Sequence, residues 1–248
     1  MASPRKRKPL VPAAYRRVVL KVSGESLIGD GGEPVSGEAA ARLATEIVGA
    51  VGAGAEVGVV IGGGNILRGA AVASKGADRV ASDLAGMSAT LVNSIVLCDA
   101  LQSLGQKAVV MSAVPCGRIA EDYDHRTADA HLSDGAVVIF AAGTGNPFFS
   151  TDTAAVLRAA ELSADALLKA TQADGVYDSD PATNPNAVRF ESVTYQEMLE
   201  KRLMVMDMTA VSLAREQNVP LVVFALAEPG NIARAVAGEP VGTTVEGG

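Results

Sequence analysis

The 248-residue chain has no tryptophan, two cysteines, two histidines and only 4% aromatic residues. Two cysteines, Cys98 and Cys116, each beside an apolar stretch, make no disulfide framework and suit a reducing compartment. His125 and His131 stand at no metal-ligand spacing from those cysteines, so no zinc-type centre is expected. No uninterrupted apolar run reaches the roughly 18 residues of a membrane span. The N-terminal charge is followed by no apolar segment, which argues against a secretory signal. The chain has no Gly-Lys dipeptide, which excludes a Walker A loop. It also lacks GxGxxG, HRD and DFG, and with them the dinucleotide fingerprint and the protein-kinase set.

Charge is short in one sign over most of the length. The formal net charge is −7, yet residues 1–17 hold Arg5, Lys6, Arg7, Lys8, Arg16 and Arg17 and no acid. With those six set apart from the 21 basic residues, residues 18–248 keep 15 against 28 acids, a net −13. Such a body repels nucleic acid, so no nucleic-acid partner is expected. Any anionic substrate has to be held by a few placed cations and backbone N–H groups. The basic run, flanked by Pro4, Pro9 and Pro12, reads as a solvated, disordered tail over residues 1–15.

What the chain has in quantity is alanine, valine, glycine and leucine, within a 48% hydrophobic composition. Six short apolar runs stand out: 17–22, 56–61, 107–111, 136–140, 165–169 and 220–224. Their near-continuous apolarity predicts buried strands of a mainly parallel sheet. Helical patterns lie between them at about 36–53, 79–104, 152–161, 194–202, 207–218 and 230–237. Ser36, with Glu38 and Ala39 close behind, marks the first helix start. The alternation predicts an α/β fold, a three-layer αβα sandwich around the sheet, as one domain over 16–248. The only long irregular stretch, 172–192, is rich in Asp, Asn and Pro and reads as a functional loop.

Three glycine-bearing turns follow strands: Lys21 to Gly24, Gly62 to Asn65, and Gly143 to Asn146. Ligands of open α/β sheets bind beyond the strands' carboxyl ends, and glycine lets backbone N–H groups approach phosphate oxygens. The three turns therefore point to a nucleotide or phosphate site. Phosphoryl transfer asks a protein chiefly for alignment and charge stabilisation. Lys21 and Lys169 each end a strand run beside a loop, and Asp152 opens a helix after Phe148-Phe149-Ser150-Thr151. Plainer readings stay open at this point: a strand-end lysine can be merely solvated, and an Asp at a helix start can be merely a cap. Phe148 and Phe149 are open between core and site, and Met204, Met206 and Met208 read as packing. The apolar helix near 84–104 reads as core, with a dimer face as the alternative.

The residues resemble the bacterial UMP kinases, members of the amino-acid-kinase fold. The resemblance rests on KVSGESL (21–27), VVIGGGNILRG (59–69), GTGNPFFSTDTAA (143–155), KATQADGVYDSDP (169–181) and LMVMDMTA (203–210), and spans about residues 16–246. It implies transfer of the γ-phosphoryl group of ATP to UMP, with Mg2+ carried mainly by the ATP phosphates. It implies that Lys21, Val22, Ser23, Gly24, Gly64, Arg68, Thr171, Tyr177 and Asp180 bind ATP. It implies that Gly63, Asp83 and the run Thr144, Gly145, Asn146, Pro147, Phe148, Phe149, Ser150 and Thr151 hold UMP. Lys21, Lys169 and Asp152 are the expected catalytic set, with Asp207 a further candidate. The chemistry agrees: a tyrosine face can lie on a base, and a carboxylate can accept two ribose hydroxyls. The resemblance also implies an acceptor-binding part at 16–163, an ATP-binding part at 164–248, a cytoplasmic homohexamer, activation by GTP and inhibition by UTP.

The chain departs from the family pattern at Val22 for Leu, Ser26 for Ala, Met204 for Lys and the glycine-rich stretch 29–36. Two other readings compete: a kinase of the same fold acting on a carboxylate, carbamate or isoprenoid phosphate, and a nucleotide-binding protein without turnover.

Overall fold

The computed structural model describes residues 13–67, 76–181, 183–203 and 205–247. Its strands are β1 (Arg17–Val22), β2 (Glu56–Ile61), β3 (Ala108–Ser112), β4 (Glu121–Asp122), β5 (Val137–Ala141), β6 (Ala166–Thr171), β7 (Ser192–Val193), β8 (Leu221–Ala225) and β9 (Gly242–Val245). Its helices are α1 (Gly37–Gly52), α2 (Arg79–Ser103), α3 (His125–Ser133), α4 (Thr151–Glu161), α5 (Tyr195–Lys201), α6 (Met208–Glu216) and α7 (Asn231–Val236), with one 3-10 turn at Gly24–Leu27.

The strands form one sheet in the order β4-β3-β5-β2-β1-β6-β8-β9-β7. Every pairing from β4 to β8 is parallel; β9 runs antiparallel to β8, and β7 lies parallel to β9. Successive side chains on a strand face opposite layers. Val18, Leu20 and Val22 of β1 join one core with α1, α2 and α7, through Leu43, Ile47, Leu97, Leu101 and Ile232. Val19 joins the other, with α3 to α6, through Leu132, Val156, Met198 and Val211. That parity decides where the lysines point. Lys21 shares its face with Val19, and Lys169 shares its face with Leu167, so both look toward the layer that contains α4.

All six apolar runs are strands, and the six helical patterns are helices within about three residues of their expected ends. Four elements had no sequence counterpart. β4 and β7 have two residues each, and β9 (GTTV) is too short and polar to stand out. Helix α3 (HRTADAHLS) buries only Ala128 and Leu132, which leaves too faint an amphipathic stripe. Ser36 caps α1, its hydroxyl accepting from Ala39 N. Of the expected tail, Ala14 and Tyr15 donate their backbone N–H groups to Val236 O at 2.9 and 3.1 Å, which ties them to the sandwich. Helix α2 is long and apolar enough to cross a membrane by length and composition. Here it packs on α1, β3 and β5. It is core on one side only: Val80, Leu84, Val92 and Ile95 are exposed.

Candidate active site

At the carboxyl ends of β1 and β6, Lys21 and Lys169 are register partners on adjacent strands. Asp152, in the first turn of α4, stands against both. Lys21 Nζ lies 2.7 Å from Asp152 Oδ1, and Lys169 Nζ donates to Oδ2 at 2.6 Å. The side chains are 12%, 8% and 14% exposed for Lys21, Lys169 and Asp152, so the triad is largely withdrawn from water. Burial alone pushes the Asp152 carboxyl up, but the charges of Lys21 and Lys169 outweigh it and hold it below the ordinary carboxylate value. Burial lowers Lys169 and Lys21 lowers it further; Asp152 offsets only part of this, so Lys169 sits below the ordinary lysine value. The triad carries one net positive charge within a strongly acidic body.

Two helix starts meet beside it. Ser150 caps α4, accepting from Asp152 N at 3.0 Å and Thr153 N at 3.2 Å, and donates its own hydroxyl to Asp207 Oδ2. Asp207 in turn caps α6 by accepting from Ala210 N at 3.0 Å, and takes Thr153 Oγ1 at 3.2 Å. Its charge also bears favourably on Lys169. Helix N-termini carry positive partial charge, so this junction suits anions.

The turn after β2 is fixed by an amide pair. Asn93 of α2, fully buried, donates to Gly62 O at 2.7 Å and to Asn65 Oδ1 at 2.8 Å; Asn65 donates back to Asn93 Oδ1 at 3.1 Å. Gly63 lies so close to α2 that a Cβ there would fall 2.8 Å from Gly86 O and 3.0 Å from Thr90 N. The turn after β5 passes through left-handed Gly143 and Gly145; at Gly145 a Cβ would meet Ala113 O at 2.9 Å. Thr144 Oγ1 accepts from Asn146 N at 3.2 Å. Phe148 and Phe149 are exposed, at 64% and 51%, which removes the core reading for both. Asp83 Oδ2 accepts from Phe148 N at 2.8 Å and from Arg79 Nε at 2.8 Å. A cavity of about 440 Å3 takes Thr144, Asn146 and Phe149 of this turn into its lining, which also includes Leu157, Leu213 and Glu216.

On the other side, Ser23 accepts from Glu25 N at 3.3 Å, opening the 3-10 turn, and Gln172 reaches Glu25 Oε2 at 3.3 Å. Tyr177 donates to Asp174 Oδ1 at 2.6 Å, a bond that raises its pKa. Asp180 O takes the N–H groups of Thr183 and Asn184 at 3.1 and 2.8 Å, shaping the 172–192 loop. Arg68 and Met204 lie outside the described residues. Met206 is buried, while Met208 is exposed. A larger cavity, about 850 Å3, lies along the second half of α2 and the β3–β4 edge, lined by residues that include Cys98, Asp99, Gln102 and Arg118 but none of the triad.

With this geometry stands the match of the amino acid kinase family's sequence profile to residues 16–225. The chain belongs to the amino acid kinase family. Among members similar to it, uridylate kinase of Brucella anthropi is 53% identical over 226 residues, 91% of this chain and 94% of that protein. The crystal structure of UMP kinase from Bacillus anthracis superposes with a TM-score of 0.90 at 40% identity, covering 94% of this chain and 96% of that one. UMP kinase from Ureaplasma parvum superposes at 0.88 with 35% identity, over 94% and 99%. The amino acid kinase sandwich expected from the sequence is thus the fold observed.

The structure brings Lys21, Lys169 and Asp152 into contact and sets Asp83 against the Phe148 turn. Asn93 and Arg79 were missed, and Asn65 was read only as the end of the second glycine-bearing turn. A polar Asn93 within an otherwise apolar helix was the available signal, because a buried amide has to find partners.

Proposed function

We infer that this chain is a UMP kinase, a phosphotransferase that moves the γ-phosphoryl group of ATP to UMP and yields ADP and UDP. The observation that carries the reading is the Lys21–Asp152–Lys169 bridge at the strand ends, in a chain about half identical to uridylate kinases over most of its length.

In the reaction an oxygen of the UMP phosphate forms the new bond to the γ-phosphorus, and the bond from that phosphorus to the β,γ-bridging oxygen breaks. The acceptor phosphate is already ionised near neutral pH, so no general base is required. The need is to keep two anions together and to stabilise charge on the moving group. Lys21 and Lys169 direct their ammonium groups there, and Asp152 holds them side by side although they repel. The backbone N–H groups of the glycine turns at 22–24, 62–64 and 143–145 add fixed dipoles. Gly63, Asp83 and 144–151 receive UMP. Lys21 to Gly24, Gly64, Arg68, Thr171, Tyr177 and Asp180 receive ATP; the acceptor residues all fall in the part at about 16–163, and the part at about 164–248 adds Thr171, Tyr177 and Asp180 to the donor site.

Mg2+ fits as the ion of Mg·ATP, supplying further charge neutralisation on the phosphates. Each Asp152 oxygen already faces a lysine, and the described residues hold no cluster of three acidic, His or Cys side chains. Phosphate oxygens are then its principal ligands. The assembly is a homohexamer, with GTP activating and UTP inhibiting; the exposed apolar stripe of Val80, Leu84, Val92 and Ile95 on α2 supports self-association. The protein works in the cytoplasm, a reading supported by its two free cysteines.

Thermal-shift measurements test the acceptor. UMP is expected to raise Tm more than CMP, AMP or N-acetylglutamate. Protection by another acceptor, with none by UMP, overturns the assignment.

A further inference from the structure

Arg79 is the first residue of α2, where a cation opposes the helix macrodipole. Two contacts of its own, and a third between their partners, account for it there. Its Nε lies 2.8 Å from Asp83 Oδ2, one turn along the helix. Its guanidinium carbon sits 5.5 Å from the centre of the Phe148 ring. The N–H of Phe148 donates to the same Asp83 oxygen at 2.8 Å. Phe148 itself adopts a left-handed backbone, φ 72°, with its ring mostly in solvent. A bulky side chain takes that conformation only when its surroundings impose it. Two groups from the first two turns of α2 hold it: the Asp83 carboxylate on its N–H and the Arg79 guanidinium by its ring.

We propose that Arg79 is a positioning residue for the nucleoside monophosphate acceptor, clamping Asp83 and the Phe148 turn into one geometry. With Oδ2 occupied by Arg79 and Phe148, Oδ1 is the oxygen left for ribose hydroxyls among the described residues. The carboxylate is therefore oriented before the acceptor arrives, and less ordering remains to be done on binding. The same clamp sets the path of the chain from Thr144 to Thr151. This inference rests on the reading that Asp83 and residues 144–151 receive UMP.

The test is steady-state kinetics of the full chain and of Arg79→Ala, Arg79→Lys, Phe148→Ala, the Arg79→Ala/Phe148→Ala double variant and Asp83→Asn, each checked for a cooperative melt. Half-exposed ion pairs and cation–π contacts are modest, so Arg79→Ala is expected to raise the UMP KM about 3- to 10-fold. The ATP KM and kcat should stay within about twofold. Arg79→Lys keeps the charge and restores part of the loss, and it remains informative should the alanine variant not fold. In the Phe148→Ala background the effect of Arg79→Ala should shrink, because the clamp is already open. An unchanged UMP KM in Arg79→Ala beside a raised one in Asp83→Asn overturns the proposal and leaves the acceptor reading intact. So does an equal loss for both substrates, or strict additivity in the double variant. No effect on UMP KM in either Arg79→Ala or Asp83→Asn overturns the acceptor reading itself.

Discussion

Lys21 and Lys169 face each other across the β1–β6 pairing, and Asp152 takes one with each oxygen. Two ammonium groups held this close out of water are tolerable only because the carboxylate lies between them. Asp152→Asn keeps the shape and removes the neutralising charge. It is expected to fold and to lose about 100- to 1,000-fold in kcat, the range for removing one preorganised electrostatic group. Near-normal turnover in a folded variant would falsify the catalytic role.

Protonation gives a second handle. In the proposed reaction Lys169 has to be charged to stabilise the transferred group, and burial beside Lys21 holds its pKa below the ordinary lysine value. The alkaline limb of kcat against pH should therefore fall earlier than an ordinary lysine allows. Lys169→Arg should flatten that limb while lowering the maximum, since arginine stays protonated. An unchanged limb in Lys169→Arg assigns the titration to another group. For stability, Asp152 is lowered in the folded state, so its contribution is complete above its unfolded value of 3.8 and is lost as pH falls through its folded value. Lys169 has the same sign at the alkaline end: the unfolded chain holds that proton more tightly, so stability gains from this residue as pH rises through the window between its two values.

Asp83→Asn replaces the carboxylate that anchors the Phe148 turn and that we propose faces the acceptor. The UMP KM should rise about tenfold, with the ATP KM moving far less, as for loss of one charge-assisted hydrogen-bonding group. Equal changes in both constants would sink the acceptor assignment.

Asp207 joins two helix starts, through Ser150 and Thr153 on one side and Ala210 N on the other. Asp207→Ala removes a cap and leaves both hydroxyls without that acceptor, which costs about 1–3 kcal/mol by denaturant melts. Ser150→Ala should cost less, about 1 kcal/mol, because Asp207 still caps α6. The reverse order would show that Asp207 is not the shared anchor.

Asn93→Leu is nearly the same size but takes the support from Gly62 O and Asn65. A loss of about 1–3 kcal/mol in stability is expected, together with weaker binding of both nucleotides through the loosened glycine turn. Wild-type stability and kinetics would refute this role.

The fold was legible because the six central strands are continuous apolar runs and the helices between them carry clear apolar stripes. Edge elements such as β4 and α3 bury too little to leave a pattern. At the site, Lys21, Lys169 and Asp152 could be named from their places at strand and helix ends. Their mutual contact could not, since it depends on strand parity and on the order β1 next to β6. Arg79 escaped notice because its meaning lies in Phe148, 69 positions later in the chain, whose left-handed turn leaves no mark in residue type.

The most direct test of the whole account is release of ADP from Mg·ATP by the purified chain, with UMP, CMP, AMP, N-acetylglutamate and carbamate compared as acceptors and UDP identified as product. Strong turnover with UMP, matched by UDP, is the predicted result. No turnover with UMP alongside turnover with another acceptor would contradict it, leaving the sandwich and the lysine bridge but removing the assignment of Asp83 and residues 144–151 to UMP.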